Sequence, residues 1–448
     1  MSDDLRIAST KDFRSLVQQR FASPFASLVL EAQGCAAERF GAAAAAQRRG
    51  ADILLLQHGD PIVVTAALLV PPRRHGVITA SEVRSLFGDQ VADLVEEAVP
   101  QRHLTVSPDV LPEESLRSFL KSIAQDVRLV VLHLGLRLAE LETLVKQDGS
   151  DPRALAQETL NLHVPLADRL GLGVLRIHLE DVSFRLLEPE VYEELARQLE
   201  PIRAEDEVCL GILKEGIQHL LKRQGLRATI EARTKGLYSL YSKMYRQERP
   251  IHEIMDKIGL RIIVSSVEEC YTALDLLHTH FRPIPGTLDD HIARPKENGY
   301  QSLHTCVYPV PGISHKPVEI QIRTEAMHRE AQFGVAAHWR YKSEKEAALD
   351  NEAQLRWLRK LLAQHEKEFD HAEFLEHLRR TVLRDDPLAS QSERQARMPQ
   401  ATTVQDSGLL AVGPGEDAPT AKINGITEPA THCLQDEEAL DVTDKEQG

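Results

Sequence analysis

The hydrophobic period of this chain changes near Leu226, and that change limits the fold more than any other feature of its 448 residues. Up to about Pro201 apolar residues recur at three- and four-residue steps. SEVRSLFGDQVADLVEEAV (81–99), SLRSFLKSIAQDVRLVVLHLGLRLAELETLV (115–145) and PRALAQETLNLHVPLADRLGL (152–172) all do so. That spacing predicts amphipathic helices, with Pro165 as a boundary or kink. A further amphipathic helix, VCLGILKEGIQHLLKRQ (208–224), leads out of this region. Beyond Leu226 the segments RATIEAR, GLRIIVSS, TCVYPV and VEIQIRT alternate or run β-branched, which predicts strands. Helical patterns at GLYSLYSKMYRQ and CYTALDLLHTHF lie between them. The reading is an all-helical domain followed by a mixed α/β domain. Residues 346–386 read as charged connecting helices, and residues 387–448 as a linker with a marginal or disordered tail.

Charge narrows the function classes. The formal net charge is −15, which argues against wholesale coating of nucleic acid. Residues 227–345 nevertheless hold 17 basic and 14 acidic residues, a net of +3, whereas 387–448 hold 4 basic and 11 acidic, a net of −7. An anionic ligand therefore suits the middle of the chain. The five cysteines form no CxxC pair, so neither a disulfide framework nor a zinc knuckle is expected. No apolar run reaches membrane-spanning length and the start MSDDLRIAST is no secretory signal, so a cytoplasmic location away from the membrane is expected.

Four pieces carry chemistry. In VEIQIRT, Glu319, Gln321 and Arg323 fall on one strand face and Val318, Ile320 and Ile322 on the other. A carboxylate, an amide and a guanidinium on one face can bind a metal, read a base edge and hold a phosphate, or simply form a solvated face. In RTKGLYSLYSKM, Arg233 and Lys235 precede a helix on which Ser239 and Lys243 share a face. A helix N-terminus with cations is a plausible phosphate cradle, and ordinary surface basicity is the alternative. Asp256, just ahead of GLRIIVSS, can join Glu319 in a Mg²⁺ site, or act as a cap. In TLDDHIARPKENGYQSLHT, Pro295, Asn298 and Gly299 mark a turn from which Tyr300 can stack on a base, flanked by Lys296 and His304.

In this order the pieces resemble the synthetase domain of the RelA/SpoT homologue family, the (p)ppGpp alarmone enzymes. The matching segments are RTKGLYSLYSKM, MDKIGLRIIV, PKENGYQSLHT, VEIQIRTEAMH and GVAAHWRYK, from Arg233 to Lys342. The resemblance implies a nucleotidyltransferase-like sheet that transfers the β,γ-pyrophosphate of ATP to the 3′-hydroxyl of GTP or GDP. It implies Arg233, Lys235, Ser239 and Lys243 on ATP, and Asp256 and Glu319 as Mg²⁺ ligands and catalytic residues. It places Tyr300, Lys296, Asn298, His304 and Gln321 on GTP or GDP. The domain reading becomes 1–200 a degenerate hydrolase-like helical domain of the HD type and 201–345 the synthetase domain. Residues 346–386 follow as connecting helices and 387–448 as a linker with an eroded TGS-like or disordered tail.

The family divides between an R-x-K-D form in bifunctional enzymes and an E-x-D-D form in synthesis-only ones. Thr287, Leu288, Asp289 and Asp290 keep the acidic pair without the leading acid, nearer the second form. The family's hydrolase needs a His-Asp pair after an apolar run. Here that run is TAALLVPPRRHG, and Leu136 and Glu140 stand where the family has an acid and an asparagine. The expectation is a hydrolase scaffold without hydrolase chemistry. ATP and GTP or GDP are the expected partners. The resemblance to the family's ribosome- and tRNA-sensing region fades after an eroded TGS-like stretch, which weakens those two partners, and homo- or hetero-association stays open. Two other readings also stay open: a weakly active nucleotide-binding regulatory paralogue, and a pyrophosphokinase for a different acceptor.

Overall fold

The computed structural model describes residues 10–40, 48–57, 60–99, 126–145, 152–247, 251, 254, 258–296, 298–308 and 317–334, together with the backbone of three short strands between 420 and 441. The side chains of 10, 11, 201–207, 233, 234, 247 and 258 lie outside that description. Asp256 and the connecting segment 346–386 also lie outside it.

The first part is helical: α1 (Thr10–Arg20), α2 (Phe25–Phe40), α3 (Arg49–Gln57), α4 (Pro61–Arg74), α5 (Ala80–Phe87), α6 (Asp89–Ala98) and α7 (Val127–Leu144). Local chemistry sets the ends. Asp60 accepts from the Ile62 and Val63 amides at the start of α4, and Thr79 with Glu82 forms a reciprocal capping box on α5. The single helical pattern of 81–99 breaks at Gly88, whose φ of +84° turns the chain between α5 and α6. In 115–145 the described helix begins after Asp126, which caps it through the Arg128 amide. α3 crosses α7 closely because each supplies a glycine. A Cβ at Gly50 would lie 2.8 Å from a Leu136 methyl, and one at Gly135 would lie 2.6 Å from Leu54.

Next come α8 (Arg153–Glu158), a π-helical turn (Thr159–His163) and α9 (Val164–Arg169). Pro165 sits in the first turn of α9, where a missing amide hydrogen is tolerated. Then α10 (Gly173–Leu187) leads to α11 (Pro189–Arg223). The helical reading paused at Pro201, but α11 is one continuous element there and runs through positions 200 and 201.

The mixed sheet contains β1 (Thr229–Thr234), β2 (Ile258–Val264), β3 (Arg282–Pro283), β4 (Asp289–Asp290), β5 (Leu303–Tyr308) and β6 (Val318–Thr324). Its helices are α12 (Leu237–Gln247), α13 (Val267–His280) and α14 (Glu325–Phe333). The strand order is β1-β2-β6-β5-β3, with β4 also on β5. β2 and β6 are parallel and the other pairs antiparallel. One face is apolar: Ile230, Leu260, Ile262, Ile320, Ile322, Leu303 and Val307 form one core with Leu213 and Ile217 of α11 and Ala273 and Leu277 of α13. A helical domain followed by a mixed-sheet domain is therefore the fold. Residues 386–448 form a separate unit, in which β7 (Thr420–Ile423), β8 (Ile426–Pro429) and β9 (Leu440–Asp441) pair antiparallel in the order β8-β7-β9.

Candidate active site

Strand register assembles the polar face. Arg233 pairs with Gly259, Gly259 with Glu319 and Glu319 with Cys306, so these positions form one row across four strands. Two positions along, Glu231, Arg261, Gln321 and His304 form a second row, continued by Asp289. Directly opposed residues share a face. Position 233 is thus two strands, roughly 10 Å, from Glu319, and the intervening Gly259 contributes no side chain. A Cβ at Gly259 would approach the Glu319 carbonyl oxygen to 2.7 Å. The notch beside Glu319 is therefore built into the sequence.

Around Glu319 the side chains interlock. Its Oε1 lies 3.3 Å from His304 Nδ1, and its Oε2 accepts from Gln321 Nε2 at 3.2 Å. His304 Nε2 lies 2.8 Å from the Tyr300 hydroxyl. Tyr300, His304 and Glu319 thus stand in line, the first two hydrogen-bonded and the last two in close polar contact. Gln321 is only 2% exposed, and its buried Oε1 has no hydrogen-bond partner among the described residues. An orphaned buried carbonyl oxygen beside a carboxylate is the kind of group that a water or a hard cation satisfies.

Tyr300 is half-buried. Lys296 Nζ and the Arg323 guanidinium each lie 5.9 Å from its ring centroid, and His291 meets it edge-on at 6.1 Å. Arg323 is 2% exposed and bonds His328 Nδ1 at 3.0 Å, so it supports the ring from beneath. Asn298 bonds to backbone on both of its amide atoms. Its Oδ1 accepts the Tyr300 amide at 3.2 Å and its Nδ2 donates to the Asp168 carbonyl at 3.2 Å, so it shapes the loop. Asp290 does likewise, accepting the Ile292 and Ala293 amides and the Tyr271 hydroxyl. Nothing in the spacing pointed to the roles of His291, His328 or Asp168, because each partnership is set by tertiary packing and not by the period of one strand or helix.

The basic helix is anchored differently. Lys235 and Ser239 are half-buried at the start of α12, and Lys243 lies one turn further. The Tyr238 amide, one of the free groups at this helix N-terminus, donates to Asp181 Oδ1 of α10 at 2.9 Å. The Ser239 hydroxyl lies 3.5 Å from Glu180 Oε2. Arg233 enters only as a backbone position in β1, and its distance from the α12 side chains lies outside the description.

A family model described as "Region found in RelA / SpoT proteins" matches residues 232–346, and an HD-domain model matches 42–173. Residues 232–346 belong to this RelA/SpoT region. The chain is 37% identical over 315 residues to the probable guanosine-3′,5′-bis(diphosphate) 3′-pyrophosphohydrolase of Synechocystis, covering 69% of this chain and 41% of that one. It is 35% identical over 387 residues to the GTP pyrophosphokinase of Escherichia coli K12, covering 83% of this chain and 51% of that one. The chain thus spans about half the length, or less, of the curated relatives it matches. Among solved structures, small alarmone synthetase 1 of Bacillus subtilis bound to pppGpp is 26% identical, covers 40% of this chain and all of its own, and has a TM-score of 0.28.

Within this RelA/SpoT homologue the HD region is tightly filled. Leu136 packs on Gly50, and His133 stacks on His163 with their Nε2 atoms 3.0 Å apart. Burial and the nearby Arg137 hold both imidazoles neutral, far below their usual range. Among the described residues no group of three or more His, Cys, Asp or Glu is placed to share a metal ion, and no helix is long and apolar enough to cross a membrane.

Proposed function

We propose that this RelA/SpoT homologue is a GTP pyrophosphokinase. It moves the β,γ-pyrophosphate of ATP to the 3′-hydroxyl of GTP or GDP and has no ppGpp hydrolase activity. The observation that carries the reading is the Tyr300–His304–Glu319 chain, which ends on a carboxylate beside a side-chain-free notch. In the proposed step the 3′-oxygen bonds to the β-phosphorus, the bond between the α,β-bridging oxygen and the β-phosphorus breaks, AMP departs, and the hydroxyl proton passes to Glu319. Phosphoryl chemistry of this kind needs orientation and neutralisation more than covalent help.

Tyr300 offers the acceptor purine a ring face, with Lys296 beside it for the acceptor's phosphates. Gln321 offers its buried oxygen on the acceptor side, Asn298 holds the loop that presents the ring, and His304 orients Glu319. Arg233, Lys235, Ser239 and Lys243 hold ATP, with the cations neutralising its phosphates. The Glu319 carboxylate and the nearby Gln321 Oε1 are hard oxygen donors of the kind Mg²⁺ takes, and Mg²⁺ needs few protein ligands and keeps water or phosphate. Glu319 would hold it with Asp256, the acid three positions before Gly259 in the sequence. A bound Mg²⁺ would supply charge neutralisation at the transferring phosphates.

The test is direct. Purified protein is incubated with γ-labelled ATP, Mg²⁺ and GDP, GTP or ADP. Label is expected on the guanine nucleotides. Label confined to ADP would move the acceptor assignment to another base, and no transfer to any acceptor would overturn the reading.

A further inference from the structure

The two nucleotide sides of the proposed site are held by neighbouring pieces of the helical domain, and one side chain joins those pieces. On the donor side, Asp181 of α10 caps α12 through the Tyr238 amide at 2.9 Å, and Glu180 lies 3.5 Å from the Ser239 hydroxyl. On the acceptor side, the carbonyl of Asp168, near the end of α9, takes the Asn298 amide at 3.2 Å. Asn298 in turn fixes the Tyr300 amide. Between them stands Arg176. Its Nη1 donates to Glu180 Oε1 at 2.6 Å and its Nε lies 3.3 Å from Asp168 Oδ1. A continuous polar path therefore runs Ser239–Glu180–Arg176–Asp168–Asn298–Tyr300.

The surrounding backbone leaves little slack. Gly171 has a φ of +70°, and a Cβ there would meet the Gly334 Cα at 3.1 Å and the Asn298 carbonyl at 3.6 Å. A Cβ at Gly173 would meet the Ala331 carbonyl at 2.7 Å. The 168–173 turn is thus pressed against both the Tyr300 loop and the end of α14. Glu180 is 4% exposed, so its bond to Arg176 works where solvent competes weakly.

We propose that Arg176 is a positioning residue that couples the donor and acceptor sides, so that a nucleotide bound on one side raises affinity for the other. A link between two sites carries free energy only if each ligand shifts a shared element. Here the shared element is the Arg176 fork, which fixes α10 against α12 and the α9 end against the acceptor loop together. This inference rests on the pyrophosphokinase reading, because that reading supplies the two ligands.

The experiment measures binding of α,β-methylene-ATP to the full chain by calorimetry, without and with saturating GDP, and the reverse titration. For the wild type the two orders should agree on one coupling factor, about fivefold or more by the usual scale of such couplings. Arg176→Gln and Asp168→Asn should each bring the factor close to one, while the affinity for either nucleotide alone changes less than about twofold. A purely supporting role would instead lower both affinities or the melting temperature and leave the factor intact, and that result overturns the proposal. So does a wild-type factor of one in a protein that binds both nucleotides, which leaves the pyrophosphokinase reading standing. Wild-type protein that binds neither nucleotide overturns both. If Arg176→Gln fails to fold, Asp168→Asn decides, since it removes one carboxylate that is 56% exposed.

Discussion

Tyr300, His304 and Glu319 show how much of the proposed chemistry depends on single protons. The Tyr300 hydroxyl shares a hydrogen bond with His304 Nε2 at 2.8 Å, and His304 Nδ1 faces Glu319 Oε1 at 3.3 Å, so the hydroxyl bears on the carboxylate through the imidazole. The tyrosine therefore has two separable parts, a hydroxyl that orients the histidine and a ring face for the acceptor. Tyr300→Ala should weaken GDP binding roughly 5- to 150-fold, from about 1–3 kcal/mol of base–aromatic stacking. Tyr300→Phe keeps the ring and should leave the GDP dissociation constant within about twofold while lowering kcat. Calorimetric titration with GDP alongside steady-state rates separates the two, and equal loss of binding in both variants would remove the ring from the acceptor site. Glu319→Gln keeps the shape and the Gln321 contact but removes the proton acceptor. It should cut transfer by about 10²–10⁴-fold with an unchanged melting temperature. Near-normal alarmone production by that variant would refute the assignment.

The strands were the most legible elements. Their period of two sorted Val318, Ile320 and Ile322 onto the buried face and Glu319, Gln321 and Arg323 onto the other, and the register reproduces that division. Helices were legible as patterns but not in their breaks. A positive φ at Gly88, a π-helical turn before Pro165 and an α11 continuous through Pro201 are decided by tertiary packing, which apolar spacing does not encode. Nor did the spacing of VEIQIRTEAMH disclose that Arg323 bonds His328.

That last contact makes α14 sensitive to acid. Burial, and then Arg323, Arg261 and Arg329, push His328 down from 6.5 to about 3. The folded protein therefore holds this histidine neutral while the unfolded chain protonates it near 6.5. Its contribution to stability is complete above pH 6.5 and is lost as pH falls from 6.5 toward 3. Because the ring is partly exposed, the loss by pH 5.5 should be at most about 1 kcal/mol. Urea unfolding at pH 7.5 and 5.5 measures it. His328→Asn, which keeps an acceptor for Arg323 but cannot titrate, should narrow the gap between the two curves by that amount. An unchanged gap would show that Arg323 and His328 do not share this proton balance.

At the scale of the molecule, an HD-type helical domain precedes a RelA/SpoT-type sheet, and the question is whether the helical domain carries chemistry of its own. A hydrolytic dication site needs hard, ionisable ligands around open space. Here the corresponding run is TAALLVPPRRHG, the chain contains no His-Asp dipeptide, and the α3–α7 crossing is closed by Leu54 on Gly135 and Leu136 on Gly50. The buried polar residues point inward to one another: His133 to His163, and Arg137 to Glu158 at 3.1 Å. A core filled in this way resists added volume. Gly135→Ala would drive a methyl group against the fully buried Leu54, and it should destabilise the protein by about 1–3 kcal/mol. The same packing predicts that ppGpp incubated with the protein and Mn²⁺ releases no pyrophosphate across the pH range in which the protein stays folded. Pyrophosphate release at a rate that scales with enzyme concentration, and that Glu319→Gln leaves intact, would place a second working centre in the helical domain. Release that vanishes with Glu319→Gln would instead place the hydrolysis at the sheet site, with water as the acceptor, because reversal of the transfer would need AMP and would give ATP and no free pyrophosphate. The helical domain would then stay a scaffold.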